Sequence, residues 1–374
     1  MPRPYSDLNP SPRVLLGPGP SLVPARVLRA MATPLVGHLD PDFLVIMAEV
    51  QELLRFVFQT RNPFTLAVPG TGTAGMEAAL RNLIQPGDRV LACIHGFFGE
   101  RMADISARCG AEVERLERPW GEVFDPEQIA GRLKTGAFRL VTLVHAETST
   151  GAWQPGIDVI AKACHDRGAL LVLDCVTSLG GLPVEIDAWD VDVAYSASQK
   201  CLSAPPGLAP ITLGPRAEQA LAHRKSPVPS FYLDLSLLRR YWGEQPVYHH
   251  TAPISTVYAL REALRLVDEE GLPARFDRHR ANAALLWTGL EALGLPPLMS
   301  ADVRLPTLTT PRLPDGCDDA GIRGSLLRQY NIEIAGGFGP LAGKIWRVGL
   351  MGFSSRQENV RLLLGALQDL LGRR

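Results

Sequence analysis

Two neighbouring stretches decide the fold of this 374-residue chain: "LLVLDCVTSLGGLPVEI" at residues 170–186 and "VDVAYSASQKCLSAPPG" at residues 191–207. The first is a very apolar strand pattern that ends in Asp174. The second begins with another strand pattern and places Lys200 in a loop of small residues. A carboxylate in such apolar surroundings is costly without a partner. The pair therefore predicts a site at the carboxyl ends of neighbouring strands.

The alternation of strand and helix patterns extends through the first two thirds of the chain. Between residues 64 and 213, strand patterns alternate with helical patterns. "FTLAV" precedes a helical pattern near 73–84, "RVLACI" precedes one near 98–109, and "AEVERL" follows it; "FRLVTLVHA" and "ALLVLD" flank a third near 156–167. Such alternation predicts an α/β fold with a mostly parallel sheet that helices cover on both faces. Ligands bind such sheets at the carboxyl ends of the strands.

The pattern changes near residues 247–253. Long amphipathic helices follow near 254–270 and 274–293, then a strand-like "TLTTPRL" and further helices near 320–330 and 356–371. These features predict a smaller C-terminal α+β domain. We therefore predict an N-terminal arm at residues 1–22, a large domain at 23–252 and a small domain at 253–374.

Composition narrows the class of protein. Hydrophobic residues make up 46% and charged residues 21% of the chain, which is typical of a globular protein. The 38 basic and 39 acidic residues give no indication of nucleic acid or a membrane surface as a partner. The proline-rich N-terminus contains no apolar targeting segment. Six cysteines without a C-x-x-C pair predict a reduced, cytoplasmic protein with no metal site.

A glycine motif raises the question of which phosphate the chain binds. "VPGTGTAGMEAAL" at residues 68–80 contains G-x-G-x-x-G at Gly70, Gly72 and Gly75. A dinucleotide site requires an acidic residue at the end of the next strand, but that strand ends in His95 and Gly96. Flexible glycines before a helix also suit a single phosphate ester. A nicotinamide-dependent dehydrogenase remains an alternative that leaves Lys200 unexplained.

A phosphate site, a buried carboxylate and a lysine at strand ends are the set that pyridoxal phosphate requires. The lysine forms a Schiff base, and the carboxylate keeps the pyridine nitrogen protonated so that the ring accepts electrons. Either Asp174 or Lys200 alone is more simply interpreted as a turn or surface residue. Their order and their placement together favour the cofactor site.

The whole chain resembles the class V aminotransferases of fold type I, most closely the alanine:glyoxylate and serine:pyruvate aminotransferase family. The matching stretches are "LLGPGPS", "FVFQTRNPFTLAVPGTGTAGMEAAL", "HAETSTGAWQP", "LLVLDCVTSLGGLPVEID", "SASQKCLSAPPG", "SFYLDL", "VYHHTAPIS", "NIEIAGGFGP" and "WRVGLMG". They span nearly the whole sequence. The resemblance implies the fold of pyridoxal-phosphate-dependent transferases of type I, with a large domain built on a seven-stranded sheet.

The resemblance also assigns cofactor roles. Lys200 becomes the Schiff-base lysine and proton shuttle, Asp174 the partner of the pyridine nitrogen, and Val176 a contact of the ring face. Phe98 stands where the family often has a stacking tryptophan, which keeps an apolar face but removes the indole N–H. The remaining implied cofactor contacts are Thr71, Gly72 and Thr73 at a helix start, Thr148 at the phenolic oxygen, Gln199 at the phosphate, and Tyr248 and Thr251 at the phosphate of a partner subunit.

The implied substrate contacts are fewer. Arg347 in "KIWRVGLMG" would bind the substrate carboxylate, for which a planar guanidinium is suited. Gly19 would present a backbone N–H near the same carboxylate, and Ser149 would reach the substrate. By sequence alone, the stretch around Gly19 is more simply an extended arm with a turn. Because the partner's Tyr248 and Thr251 would complete each site, the resemblance implies a homodimer.

The resemblance implies a transaminase that moves an amino group from alanine or serine to glyoxylate or pyruvate by a ping-pong mechanism. Ureidoglycine–glyoxylate and aminoethylphosphonate transaminases are alternatives, because apolar pockets discriminate weakly between small donors. A cysteine desulfurase using Cys317 is another. Those enzymes typically carry histidine directly before the lysine, whereas this chain has Gln199.

Overall fold

The computed structural model describes residue 5 and residues 7–372. Residues 1–4 and 6 of the predicted arm, and residues 373–374, lie outside the described residues. The strands are β1 (Val14–Leu15), β2 (Phe64–Pro69), β3 (Arg89–Ile94), β4 (Glu112–Glu117), β5 (Leu140–Val144), β6 (Ala146–Glu147), β7 (Ala152–Trp153), β8 (Leu170–Asp174), β9 (Val193–Tyr195), β10 (Leu208–Leu213), β11 (Leu308–Thr309), β12 (Ile332–Glu333), β13 (Ala335–Gly336) and β14 (Trp346–Gly349).

Helices alternate with the strands in the first part of the chain and dominate the last part. They are α1 (Ala25–Met31), α2 (Pro41–Phe58), α3 (Gly72–Leu83), α4 (Phe97–Arg108), α5 (Pro126–Leu133), α6 (Ile157–His165), α7 (Ile186–Trp189), α8 (Pro215–Ala222), α9 (Leu235–Tyr241), α10 (Ile254–Glu270), α11 (Leu272–Ala292), α12 (Asp319–Gln329) and α13 (Gln357–Leu370), with 3-10 turns at Gly339–Leu341 and Gly352–Ser354.

The main sheet has seven strands in the order β2-β10-β9-β8-β5-β3-β4. β10 runs antiparallel to both of its neighbours, and the remaining pairs are parallel. The predicted mostly parallel, seven-stranded sheet is therefore confirmed. Every residue of β2, β5, β8 and β10 is buried, as expected for strands covered on both faces. The edge strand β4 is instead charged and partly exposed.

The glycines of the G-x-G-x-x-G motif have structural reasons of their own. Gly70 ends the loop before α3 with φ of +134°, a conformation that side chains rarely adopt. A Cβ at Gly75 would lie 2.9 Å from that of Ala209 on β10, so this glycine allows α3 to pack closely on the sheet. A Cβ at Gly72 would lie 3.0 Å from that of Ala197 and 3.2 Å from Val176. The motif therefore brings the start of α3 close to the carboxyl ends of β8 and β9, which Val176 and Ala197 follow.

Buried apolar residues form one large cluster around the main sheet and a smaller one around α11, α13 and β14. α10 packs against α1 and α2, and its apolar face belongs to the large cluster. The change from one cluster to the other occurs within α11, and the predicted division at residue 252/253 remains a prediction. β1, in the predicted arm, pairs in parallel with β12 through Val14 and Ile332. Within the described residues, no helix is both long and apolar enough to cross a membrane.

Candidate active site

The carboxyl ends of β2, β3, β5 and β8 surround a pocket, together with the loop between β9 and β10. Nine of the residues assigned to a cofactor line it: Thr71, Gly72, Thr73, Phe98, Thr148, Asp174, Val176, Gln199 and Lys200. Four further lining residues were not anticipated: Met76, Arg101, Val144 and Ala146. The parallel order of the strands explains the convergence, because successive strand ends meet at one edge of the sheet.

Asp174, the last residue of β8, is 2% exposed and receives two hydrogen bonds. The backbone N–H of Val176 donates to Oδ1 at 2.8 Å, and the hydroxyl of Tyr195 donates to Oδ2 at 2.7 Å. Burial raises the pKa of Asp174 to about 6, although both donors favour the ionised form. The carboxyl group is therefore mainly ionised at neutral pH, inside the protein and within reach of a ligand.

Lys200 lies in the loop that follows β9 and faces the same pocket. Burial lowers the pKa of its amine to about 8, and the nearby charge of Arg347 lowers it further, whereas Cys201 and Asp174 act in the opposite direction. Its Nζ donates to the carbonyl of Pro18. A larger fraction of this amine is neutral near physiological pH than for an ordinary lysine, as a nucleophile or base requires.

The segment around Gly19 docks on the lysine loop. The hydroxyl of Ser21 donates to the carbonyl of Lys200 at 2.7 Å, and the N–H of Ser21 donates to the carbonyl of Gln199 at 2.9 Å. A Cβ at Gly19 would lie 2.8 Å from Nζ of Lys200, and φ at Gly19 is +116°. The structure therefore brings Gly19 against the reactive amine, and the close approach explains why glycine is needed there.

The start of α3 is arranged to hold an anion. Thr71 is its N-cap residue, but the Thr71 side chain does not cap the helix. The first N–H groups of a helix lack intrahelical acceptors and carry partial positive charge. Gln199 contributes a buried amide oxygen that has no hydrogen-bond partner among the described residues. The same side chain lines the pocket and carries an N–H₂ group, which can donate to an anion.

Glu147 is a buried carboxylate that sequence reasoning missed. Its Oε1 accepts hydrogen bonds from the hydroxyl of Ser149 at 2.5 Å and the N–H of Ser149 at 3.0 Å, and its Oε2 accepts from the N–H of Phe98 at 3.2 Å. The hydroxyl of Ser149 also accepts from the N–H of Phe97 at 3.0 Å. Glu147 and Ser149 together cap α4 and fix Phe98 beside the pocket. Burial raises the pKa of Glu147, and these donors oppose the change.

Arg347 lies on β14, in the three-stranded sheet β11-β14-β13, and is not among the residues that line the pocket. It is 8% exposed, and burial lowers its pKa to about 10 while Glu147 acts in the opposite direction. Nε donates to the carbonyl of Gly336 at 2.8 Å, and the guanidinium carbon lies 4.0 Å from the ring centre of Phe338. Its terminal nitrogens make no hydrogen bond within the part of the chain that the structure describes. They are available to a carboxylate.

The other predicted residues have different positions. Thr148 is buried with its hydroxyl 2.5 Å from that of Thr177, and it lines the pocket. Tyr248 is 59% exposed, Thr251 is exposed as well, and neither lines the pocket of its own chain. Cys317 is half-buried in the loop before α12 and is not a pocket residue.

Sequence reasoning also missed Tyr195, Arg101 and Phe338. A signal existed for two residues: Glu147 is an acid in the buried turn "HAETSTG", and Tyr195 carries a phenol into the apolar strand "VDVAYS". A buried polar group requires a partner, and that partner is a candidate site residue. Arg101 and Phe338 lie in ordinary helix and loop patterns, where no such signal exists.

Comparisons with known proteins agree with this geometry. The family model described as "Aminotransferase class-V" matches residues 13–360. The chain is 44% identical to the (S)-ureidoglycine–glyoxylate transaminase of Bacillus subtilis over 96% of this chain and 90% of that protein. It is 41% identical to the alanine–glyoxylate aminotransferase of Callithrix jacchus over 96% of this chain and 87% of that protein.

A solved structure shows the same fold throughout. The alanine–glyoxylate aminotransferase of Nostoc sp. superposes with a TM-score of 0.97 at 51% identity, covering 99% of this chain and 98% of that one. This agreement confirms the predicted fold of type I transferases. It also excludes the nicotinamide-dependent alternative, because both the family and the fold are those of aminotransferases. The chain belongs to the class V aminotransferases, in the alanine–glyoxylate aminotransferase family, whose members use pyridoxal phosphate.

Proposed function

We propose that this protein is a pyridoxal-phosphate-dependent transaminase that transfers the amino group of a small L-amino acid, alanine or serine, to glyoxylate or pyruvate. One observation carries the proposal: Asp174, Lys200 and the start of α3 line a single pocket. Arg347 does not line it, but its terminal nitrogens are open and its charge is close enough to lower the pKa of Lys200. These groups suit an amino acid carboxylate at one end and a cofactor phosphate at the other.

The residues of the pocket fit pyridoxal phosphate. The N–H₂ donor of Gln199 and the uncapped start of α3 match the phosphate, and buried Asp174 matches the pyridine nitrogen. When bound, the cofactor supplies a ring that withdraws electrons from the substrate α-carbon. Val176 and the half-buried Phe98 supply apolar contacts for such a ring.

The chain's own groups then divide the chemistry. Arg347 binds the substrate carboxylate and fixes the orientation of the α-carbon. Lys200, with an amine that is partly neutral near pH 7, would remove the α-proton of the amino donor in the first half of the reaction. In the second half it would deliver a proton to the α-carbon of the product amino acid. Asp174 holds a proton at the ring nitrogen by its negative charge. Since one amino acid leaves as a keto acid before the second keto acid binds, the kinetics are ping-pong.

A second candidate donor is (S)-ureidoglycine, which is named in the 44% identical relative. Serine, alanine and ureidoglycine share the amino and carboxylate groups that Lys200 and Arg347 recognise, and they differ only in the side chain. Cysteine desulfurase chemistry has less support, because Gln199 precedes the lysine and Cys317 does not line the pocket. We therefore propose glyoxylate transamination with alanine or serine first.

The absorption spectrum of the purified protein tests this function. After reconstitution with pyridoxal phosphate, we expect a visible band of lysine-bound cofactor that disappears with L-alanine or L-serine and returns with glyoxylate. Lys200→Ala should abolish the band, whereas Lys162→Ala, at a 75% exposed helix position, should retain it. A wild-type protein that forms no such band contradicts the cofactor assignment. If the band responds only to ureidoglycine, or only to cysteine, that compound is the amino donor in place of alanine or serine.

We also propose a homodimer with shared sites, because Tyr248 and Thr251 are exposed and do not line the pocket of their own chain. Hybrid dimers test this arrangement. Lys200→Ala and Tyr248→Phe homodimers should each have low activity, but mixing and reassembling them should restore up to about half of wild-type activity per hybrid. One site of the hybrid then has both native residues. No recovery in hybrids isolated with two affinity tags contradicts shared sites.

A further inference from the structure

Arg101 joins two parts of the pocket that neither the sequence nor the family comparison connects. It lies near the start of α4 and lines the pocket with Thr73 and Phe98. Its Nη1 donates to the hydroxyl oxygen of Thr73 at 3.2 Å. Its guanidinium carbon lies 4.9 Å from the ring centre of Phe98 and 5.1 Å from that of Phe97. The guanidinium therefore bridges the anion-binding helix start and the apolar cover of the pocket.

The positive charge of Arg101 has no counter-ion within the part of the chain that is described. The adjacent acid Glu100 is engaged by Arg115 at 2.7 Å, and Arg108, further along α4, pairs with Asp104 at 2.8 Å. No carboxylate forms an ion pair with Arg101 among residues 5 and 7–372. An arginine held over two aromatic rings at an anion-binding pocket is placed to complement an anionic ligand.

The contact with Thr73 constrains where that hydroxyl can donate. A threonine hydroxyl has one proton to donate and two lone pairs that accept. The N–H of Arg101 occupies a lone pair, so the proton of Thr73 is free to donate elsewhere. Thr73 is exposed at the second position of α3, where the helix start already favours negative charge. Donation from a charged group also polarises the hydroxyl and strengthens the bond that it makes.

We propose that Arg101 is a positioning residue for the phosphate of the cofactor, acting through the hydroxyl of Thr73 and the ring of Phe98. Its guanidinium holds the Thr73 hydroxyl as a donor toward the phosphate and adds positive charge behind it. The same group fixes Phe98 by contact with the ring. The inference depends on the cofactor of the proposed function and is independent of which amino acid is the donor.

The affinity of the cofactor-free protein for pyridoxal phosphate tests the proposal without reference to turnover. Dissociation constants are measured by fluorescence titration for wild type, Arg101→Ala, Arg101→Lys, Thr73→Val and the Arg101→Ala/Thr73→Val double variant. Arg108→Ala is the control, since Arg108 lies on the same helix and is exposed. Melting temperatures of the cofactor-free proteins establish that each variant is folded.

We expect Arg101→Ala to raise the dissociation constant about tenfold, as loss of a charge-assisted contact to an anion does. Arg101→Lys should have an intermediate effect, because lysine keeps the charge and loses the planar stack. Arg101→Ala should cost less affinity in the Thr73→Val background than in wild type, since part of its effect acts through the Thr73 hydroxyl. If Arg101→Ala does not fold, Arg101→Lys tests the proposal in its place. We then expect Arg101→Lys to raise the dissociation constant of pyridoxal phosphate more than twofold.

Several results would overturn the inference. An Arg101→Ala affinity within twofold of wild type, or a full tenfold effect that persists in the Thr73→Val background, rules out action through Thr73. An unchanged cofactor affinity with a raised KM for alanine or glyoxylate assigns Arg101 to the substrate instead. Failure of the wild type to bind pyridoxal phosphate is a different outcome, because it contradicts the proposed function itself.

Discussion

The candidate site has two ends: Asp174 lines the pocket, whereas Arg347 lies outside the lining and is linked to it by the effect of its charge on the pKa of Lys200. The two ends differ in how far the chain completes them. At the end that contains Asp174, the carboxylate receives one hydrogen bond from Tyr195 and one from the backbone of Val176, and its strand is wholly buried. At the end that contains Arg347, only Nε is bonded, and a separate three-stranded sheet supplies the residue. The first end is complete before a ligand binds, whereas the second has donors that only a ligand can satisfy.

This difference predicts a division of labour. A group fixed by protein contacts costs little to organise when the reaction occurs, which is the condition for stabilising developing charge. A group with open donors gains its interactions from each substrate that enters and leaves. Changes at the Asp174 end should therefore act on turnover and cofactor, and changes at the Arg347 end on substrate affinity.

The largest effect should come from Asp174→Asn. Asparagine keeps the shape but removes the charge that faces the ring nitrogen, so we expect kcat to fall by about 10²–10³-fold, as when other preorganised electrostatic groups are lost. KM for alanine and glyoxylate should change much less. Steady-state kinetics of the reconstituted variant measure both constants. Asp166→Asn is the control, since Asp166 is the exposed residue that directly follows α6. If Asp174→Asn instead raised KM and left kcat nearly unchanged, the proposed division between turnover and substrate affinity would be wrong.

The reverse pattern is expected at the other end. Arg347→Ala removes the two open donors, so KM for both the amino acid and the keto acid should rise by about 10²-fold. Arg347→Lys should recover only part of the loss, because lysine cannot form a bidentate pair with a carboxylate. The dissociation constant of pyridoxal phosphate should stay within twofold of wild type. If cofactor affinity falls as far as substrate affinity, the two ends are not independent.

The smallest effect is the pH dependence of the stability of the cofactor-free protein. Asp174 has a pKa of about 6 in the folded chain, whereas an ordinary aspartate has a pKa of 3.8. Between these two pH values the folded state therefore binds more protons than the unfolded state. The free energy of unfolding should therefore fall as pH rises from about 4 to about 6. Lys200 has a pKa of about 8 in the folded chain, whereas an ordinary lysine has a pKa of 10.5, so here the unfolded state binds more protons. The free energy of unfolding should therefore rise from about pH 8 to about pH 10.

Differences in melting temperature between wild type and two variants isolate these slopes. The difference between wild type and Asp174→Asn should decrease across pH 4–6, and the difference between wild type and Lys200→Met should increase across pH 8–10. Arg347 should not contribute to the lower range, because its pKa of about 10 lies at the upper limit of the second one. Flat differences would show that neither group titrates with a shifted pKa in the cofactor-free protein.

The sequence anticipated the half of the site that depends on local pattern. Asp174 and Lys200 follow strand patterns, and the glycine motif precedes a helix pattern, so topology alone brings them to one edge of the sheet. α10 has the bounds that its amphipathic pattern predicts, and α3 differs by one residue at each end. The resemblance then indicated Arg347 and Gly19, which no periodicity could have distinguished from residues of an ordinary strand and an ordinary arm.

The sequence by itself determined the alternation of elements, the sheet that follows from it, and the residue types available for the chemistry. Tertiary structure alone decided which of those residues meet: Glu147 with Phe98 across 49 positions, Tyr195 with Asp174 across 21, and Arg101 with Thr73 across 28. The physical reason is that periodicity reports which face of an element is buried. The partner that a buried or half-buried polar group finds depends on packing between elements, which no local pattern records.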